Sequence, residues 1–144
     1  MKQHGCELCD TEGGQLILSN EFLRVVLVDE GDFPGFARVI WNDHVREMTD
    51  LAAADQQHLM QAVFAVERAQ REVLAPTKIN LASLGNVTPH LHWHVIPRAV
   101  DDSHFPQPVW GARQREPGES IAASRTRLDR LRCRIAEEVT RAPR

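Results

Sequence analysis

Residues 90–98 read HLHWHVIPR, so imidazoles and bulky apolar side chains alternate, and three of the chain's seven histidines fall in five positions. A period of two belongs to a β-strand, where successive side chains point to opposite faces. His90, His92 and His94 are therefore expected on one side, about 7 Å apart at a rise of ~3.3 Å per residue. Leu91, Trp93 and Val95 are left to anchor the other side in a core.

A strand with one apolar face needs neighbours and a covering layer. The neighbours are readable upstream. QLILSN and FLRVVLV, between Gly14 and Val28, form two β-rich runs joined by a turn at Ser19-Asn20-Glu21, and a third runs from Phe36 to Trp41 after the breaker GDFPG. KINLASLG supplies a fourth strand, followed by the polar turn GNVTP and the histidine run. The covering layer is a helix from about Ala53 to Leu74, in which Leu59, Val63, Val66 and Val73 recur near a 3.6-residue period, with Met60 and Phe64 beside them. Ala75-Pro76 ends it.

After Arg98 the sequence DDSHFPQPVWGARQREPG reads as an extended arm rather than core, with Phe105, Pro106, Pro108 and Trp110 placed to cover the pocket or a partner subunit. A second helix is expected from about Glu119, striped by Ile121, Leu128, Leu131, Ile135 and Val139. The fold class is α+β: a mostly antiparallel sheet of about five strands, one long helix packed on it and a C-terminal helix. At 144 residues one domain is expected, with 1–98 carrying the site and 99–144 completing the same unit.

Composition narrows the class further. With 42% apolar and 26% charged residues the chain is neither disordered nor fibrous. No run approaches the ~18 apolar residues of a membrane span, and MKQHGCELCD lacks a secretory h-region, so a cytoplasmic protein without membrane contact is expected. Three cysteines are too few for a disulfide framework and suit a reducing compartment; Cys133, inside LDRLRCRIAEE, reads as a packed or half-exposed thiol. Residues 113–144 hold nine Arg against five acids, but the two signs interleave along a helix, so a solvated face is expected and not a nucleic-acid footprint.

Three uses of aligned imidazoles stay open on residue chemistry alone. They are hydrogen-bonded strand residues, they ligate one catalytic metal ion directly, or the middle one attacks phosphorus while its neighbours orient it and protonate the leaving group. CELC at Cys6 to Cys9 is a CxxC, which becomes a zinc site only with two further ligands.

HLHWHVI resembles the HφHφHφφ signature of the histidine triad (HIT) superfamily of nucleotidyl hydrolases and transferases, φ being apolar, and the likeness spans roughly residues 6–98. Asn80 and Gly85 stand upstream at family-like spacing, one residue shorter than in many members, and VIPR follows the triad. The resemblance implies the HIT-like fold and cleavage of a nucleoside phosphoramidate or dinucleoside polyphosphate at the α-phosphate. His92 would be the nucleophile, His94 would contact the α-phosphate or the departing atom, and His90 would support the site. It further implies that Asn80, with the backbone at Gly85 and Asn86, binds phosphate, that Asp29 binds ribose, and that no catalytic cofactor is required. Phe22, Leu27 and Phe36 are candidates to flank a base. A branch of the superfamily binds structural zinc, and its ligands match Cys6, Cys9, His44 and His90. A homodimer is also implied. Two departures stand out: Val87 occupies a place often held by Ser or Thr, with Thr88 one step on, and Trp93 is bulkier than the usual aliphatic residue. The rival reading is a nucleotide-binding regulatory or scaffold protein with little turnover.

Overall fold

A computed structural model describes residues 1–28 and 31–143 of the chain. Strands β1 (Gln15–Ser19), β2 (Leu23–Leu27), β3 (Ala37–Trp41), β4 (Lys78–Ala82) and β5 (His92–Arg98) form one sheet in the order β1-β2-β3-β5-β4. Every neighbouring pair is antiparallel, as expected. The first turn closes because the Asn20 side-chain oxygen accepts from the backbone N–H groups of Phe22 and Leu23, the local bond that suits Asn to turns.

Preceding the sheet is a one-turn helix α1 (Glu7–Asp10), and between β3 and β4 runs helix α2 (Ala53–Leu74), within the bounds its periodicity predicts. Leu59, Val63, Val66 and Val73 of α2 are buried against Leu23, Val25, Val39, Trp41 and Val95 on one face of the sheet. Each such side chain contributes about 1.5–3 kcal/mol by leaving water. Gln70 is the polar exception, with no exposure at all. Its amide donates to the carbonyls of Gly35 and Val95, both at 2.8 Å, and so ties α2 to the backbone of β5.

The C-terminal helix differs from expectation. It is two helices, α3 (Glu119–Arg125) and α4 (Leu128–Arg141). Thr126 breaks the run: its hydroxyl donates back to Ala123 O, and Arg127 N–H closes on Ser124 O, which takes the backbone out of helical register. Leu131, Ile135 and Val139 of α4 join the core beneath α2. On the outside Arg134 pairs with Glu72, Glu137 and Glu138, and Arg68 with Glu138, which ties α4 to α2 through charge. No helix among the described residues is long and apolar enough to cross a membrane.

On the face away from α2, the N-terminal segment covers one end of the sheet, with Leu8 packed on Val26 and Ile40. Arg24, nearly buried on β2, donates to the carbonyls of Leu8, Thr11 and Glu12 and to the Asn42 side chain. The arm, residues 99–118, covers the other end. It lacks regular structure as expected, but its root is core: Asp102 and Ser103 have no exposure.

A triad face beside a metal-ligand cluster

Cross-strand partners point to the same side of a sheet, so pairing of Ile40 with His92, and of Arg38 with His94, fixes which groups share the face away from α2. The expected alternation holds, with one difference. Ladder pairing of β5 begins at His92, so His90 precedes the strand, although Leu91 still exchanges backbone bonds with Trp41 and Val45. His90 is thereby free to turn towards the N-terminal segment.

His90 is 1% exposed. Its Nε2 lies 2.6 Å from the Trp41 carbonyl, which can only accept, so this nitrogen carries the proton. Nδ1 keeps its lone pair and faces Cys6 Sγ and Cys9 Sγ, each at 3.4 Å, while His44 Nδ1 lies 3.5 Å from Cys9 Sγ. All four ligand atoms fall within 4.8 Å of one another. A tetrahedral ion with M–S of about 2.3 Å and M–N of about 2.05 Å requires S···N of ~3.6 Å, so the cluster has the dimensions of a closed Cys2His2 metal site. Two further features suit it. Gln3 N–H donates to Cys9 Sγ, and the bond to Trp41 fixes the ligating tautomer of His90. Burial lowers the His90 pKa, which favours the neutral ring a ligand needs, and raises that of Cys9, whose thiolate then depends on a cation. The site can hold a metal. Because His90 spends both nitrogens here, an ion shared by His90, His92 and His94 is excluded.

The same stretch of backbone orients His92. Its Nδ1–H donates to the His90 carbonyl at 2.6 Å, leaving Nε2 as the unprotonated nitrogen. Burial lowers the pKa of this ring as well. A neutral imidazole held by one nitrogen with the other free has the form of a nucleophile or a base. His94 stacks edge-on against it with ring centroids 4.8 Å apart, and burial pushes its pKa down to about 3. Phe36 and Trp110 wall His94 at 5.5 and 5.1 Å.

Other expected positions fare unevenly. Asn80 shares the triad face but pairs with Ile96, one step beyond His94, and its Oδ1 accepts from Arg98 Nη1 at 2.9 Å. It lines a groove of about 500 Å³ with Pro108, Val109 and Trp110. Gly85 takes φ of +107°, a conformation that favours glycine, in the loop before His90, and Asn86 beside it is exposed. Thr88 bonds to Glu7 of α1. Of the candidate base-flanking residues only Phe36 reaches the triad; Leu27 is core and Phe22 stacks on Trp41 and His58 on the helix side. Asp29 lies outside the described residues.

Sequence reasoning missed three features. Ser83 Oγ donates to the His92 carbonyl at 2.9 Å. Arg38 stands across from His94. Arg98 and Asp102 form a buried pair, 3% and 0% exposed, joined at 2.7 and 3.0 Å. Asp102 also accepts from the backbone N–H groups of Ala99, His104 and Phe105, and Arg98 donates to Gln107 O. Burial alone would raise the Asp102 pKa, but Arg98 and the N–H groups of His104 and Phe105 hold it below its ordinary value. This strut carries the arm back over the triad face. The VIPR and DD of the sequence were its only trace.

Comparison with known proteins agrees with this architecture. The HIT domain family model matches residues 12–101. A histidine triad protein from Marinobacter aquaeolei superposes with a TM-score of 0.73 at 25% identity, covering 99% of both chains. One from Bradyrhizobium japonicum gives 0.71 at 26% identity over 89% of this chain and 92% of its own. A zinc-bound histidine triad family protein from Mycobacterium smegmatis shares the fold, with a TM-score of 0.61 at 20% identity over 92% of this chain and 94% of its own. No curated protein sequence matches the chain.

Proposed function

The chain belongs to the HIT domain family, and from that premise we propose that it is a nucleotidyl hydrolase cleaving a phosphoramidate or phosphoanhydride bond at the α-phosphate of a nucleotide. The observation that carries the reading is the bond from His92 Nδ1–H to the His90 carbonyl, which leaves Nε2 with a lone pair on a rigid strand. In the first step Nε2 attacks the α-phosphorus; the P–N bond to imidazole forms as the bond to the leaving nitrogen or oxygen breaks, and the leaving group takes up a proton from solvent. In the second step water attacks the nucleotidyl-imidazole; the P–O bond forms as the P–N bond breaks, the water gives up a proton to solvent, and His92 is released as the neutral imidazole. His94, uncharged at neutral pH, donates its remaining ring N–H as a hydrogen bond to the phosphate or the departing atom. Backbone around Gly85 and Asn86 cradles phosphate, and Asn80 binds at the groove end of the site through the amide nitrogen that Arg98 leaves free.

Cys6, Cys9, His44 and His90 would hold a zinc ion. With four protein ligands the site would be closed and the ion structural, so that these residues would tie α1 to the segment that presents His92. A cytoplasmic homodimer completes the reading. The edge strand β4 and the exposed Phe64 of α2 are surfaces suited to a second copy.

The test is hydrolysis of an adenosine phosphoramidate and a diadenosine polyphosphate by wild type and His92→Ala. Wild-type turnover should survive mild chelation of free metal and disappear in the variant. Binding without turnover by wild type would instead assign a regulatory role to the fold.

A further inference from the structure

The triad face is poor in positive charge. His94 is neutral at physiological pH. Arg98 is neutralised by Asp102, and Arg24 spends its donors on carbonyls and Asn42. Arg38 is different. It lies on β3 directly across from His94, half-buried, and forms no ion pair among the described residues. Its Nη1 donates to Gly13 O at 3.0 Å, whereas its Nε is buried with no partner. Cross-strand pairing sets its side chain on the same face of the sheet as the His94 ring.

Partly desolvating a guanidinium while leaving a buried N–H unpaired is unfavourable unless an anion completes the site. On the neighbouring strand β5, His94 faces Arg38 and His92 lies one pair along on the same side. We propose that Arg38 is a phosphate-binding residue of the triad site, its guanidinium taking a non-bridging oxygen of the nucleotide while the Gly13 carbonyl anchors the side chain from behind. This rests on the proposed nucleotide reading and adds to it the cation that phosphoryl transfer needs and that neutral imidazoles do not supply. Arginine suits the role because its planar fork can hold one acceptor on the anchored edge and present the rest to phosphate.

Calorimetric titration of the intact, metal-loaded protein with adenosine monophosphate, and separately with adenosine, tests it. Wild type should favour the monophosphate, and Arg38→Gln should lose that preference by about tenfold or more while binding adenosine unchanged. Arg38→Lys, which keeps the charge but not the planar fork, should retain a smaller preference than wild type and a larger one than Arg38→Gln, and added salt should weaken only the monophosphate. If Arg38→Gln fails to fold, Arg38→Lys and the wild-type salt series decide, because both read charge and not the Gly13 contact. Equal affinity of wild type for the two ligands, an unchanged preference in Arg38→Gln, or parallel loss of both ligands would overturn the proposal. None of these readouts requires turnover, so they separate from failure of the hydrolase reading.

Discussion

The His92 ring is held by the His90 backbone at 2.6 Å, while the His90 side chain closes the Cys6–Cys9–His44 cluster. One residue thus serves two sites: its imidazole belongs to the candidate metal cluster and its carbonyl anchors the His92 ring. Disturbing the first is expected to disturb the second without touching it.

That coupling predicts that Cys6→Ser and Cys9→Ser lose the metal together with most activity. Wild type purified without chelator should carry about one zinc per chain, as four-ligand sites do. Losing a metal worth several kcal/mol should lower Tm by roughly 10–20 °C. Metal analysis and thermal unfolding check both points; metal-free wild type with an unchanged melting temperature would remove the cluster from the account.

The arm hangs on Asp102. Asp102→Asn keeps the shape but strands the Arg98 charge in the interior, and breaking a buried pair from one side costs about 3–5 kcal/mol. Denaturant unfolding should show a loss of that order. Trp110→Ala, at a residue 54% exposed, should leave stability nearly intact and change KM for the nucleotide more than kcat. Equal destabilisation by the two variants would show that the strut does not carry the arm.

Acid should weaken the fold through His94. Its folded pKa of about 3 lies below the ordinary 6.5, so the unfolded chain binds a proton that the native state refuses. The contribution is fully present above pH 6.5 and is lost as pH falls from there towards 3, with a slope of up to about 1.4 kcal/mol per pH unit for one proton. Unfolding free energies of wild type and His94→Gln, measured across that window, should differ in slope by most of one proton. Parallel curves would mean that His94 titrates normally in the native protein.

What could be read in advance was local. The alternation of HLHWHV and the period of α2 each report the environment of neighbouring residues, and the structure keeps both. The Cys2His2 set was legible only by resemblance, since Cys9 and His44 are 35 residues apart and meet through the sheet. The break between α3 and α4 was not legible, because the apolar stripe continues in phase across Thr126. Nor was the burial of Arg98 and Asp102, residue types that usually stay wet. The Asn80 side-chain oxygen is taken by Arg98, a contact no spacing rule foresees.

The proposed reaction runs through a covalent bond to one ring nitrogen. Wild type mixed with an adenosine phosphoramidate and quenched within a turnover should carry an added adenylyl mass, mapped to His92 within residues 90–98. The adduct and the steady-state rate should both vanish in His92→Gln. Full activity in that variant, or an adduct on any other residue, would contradict the account.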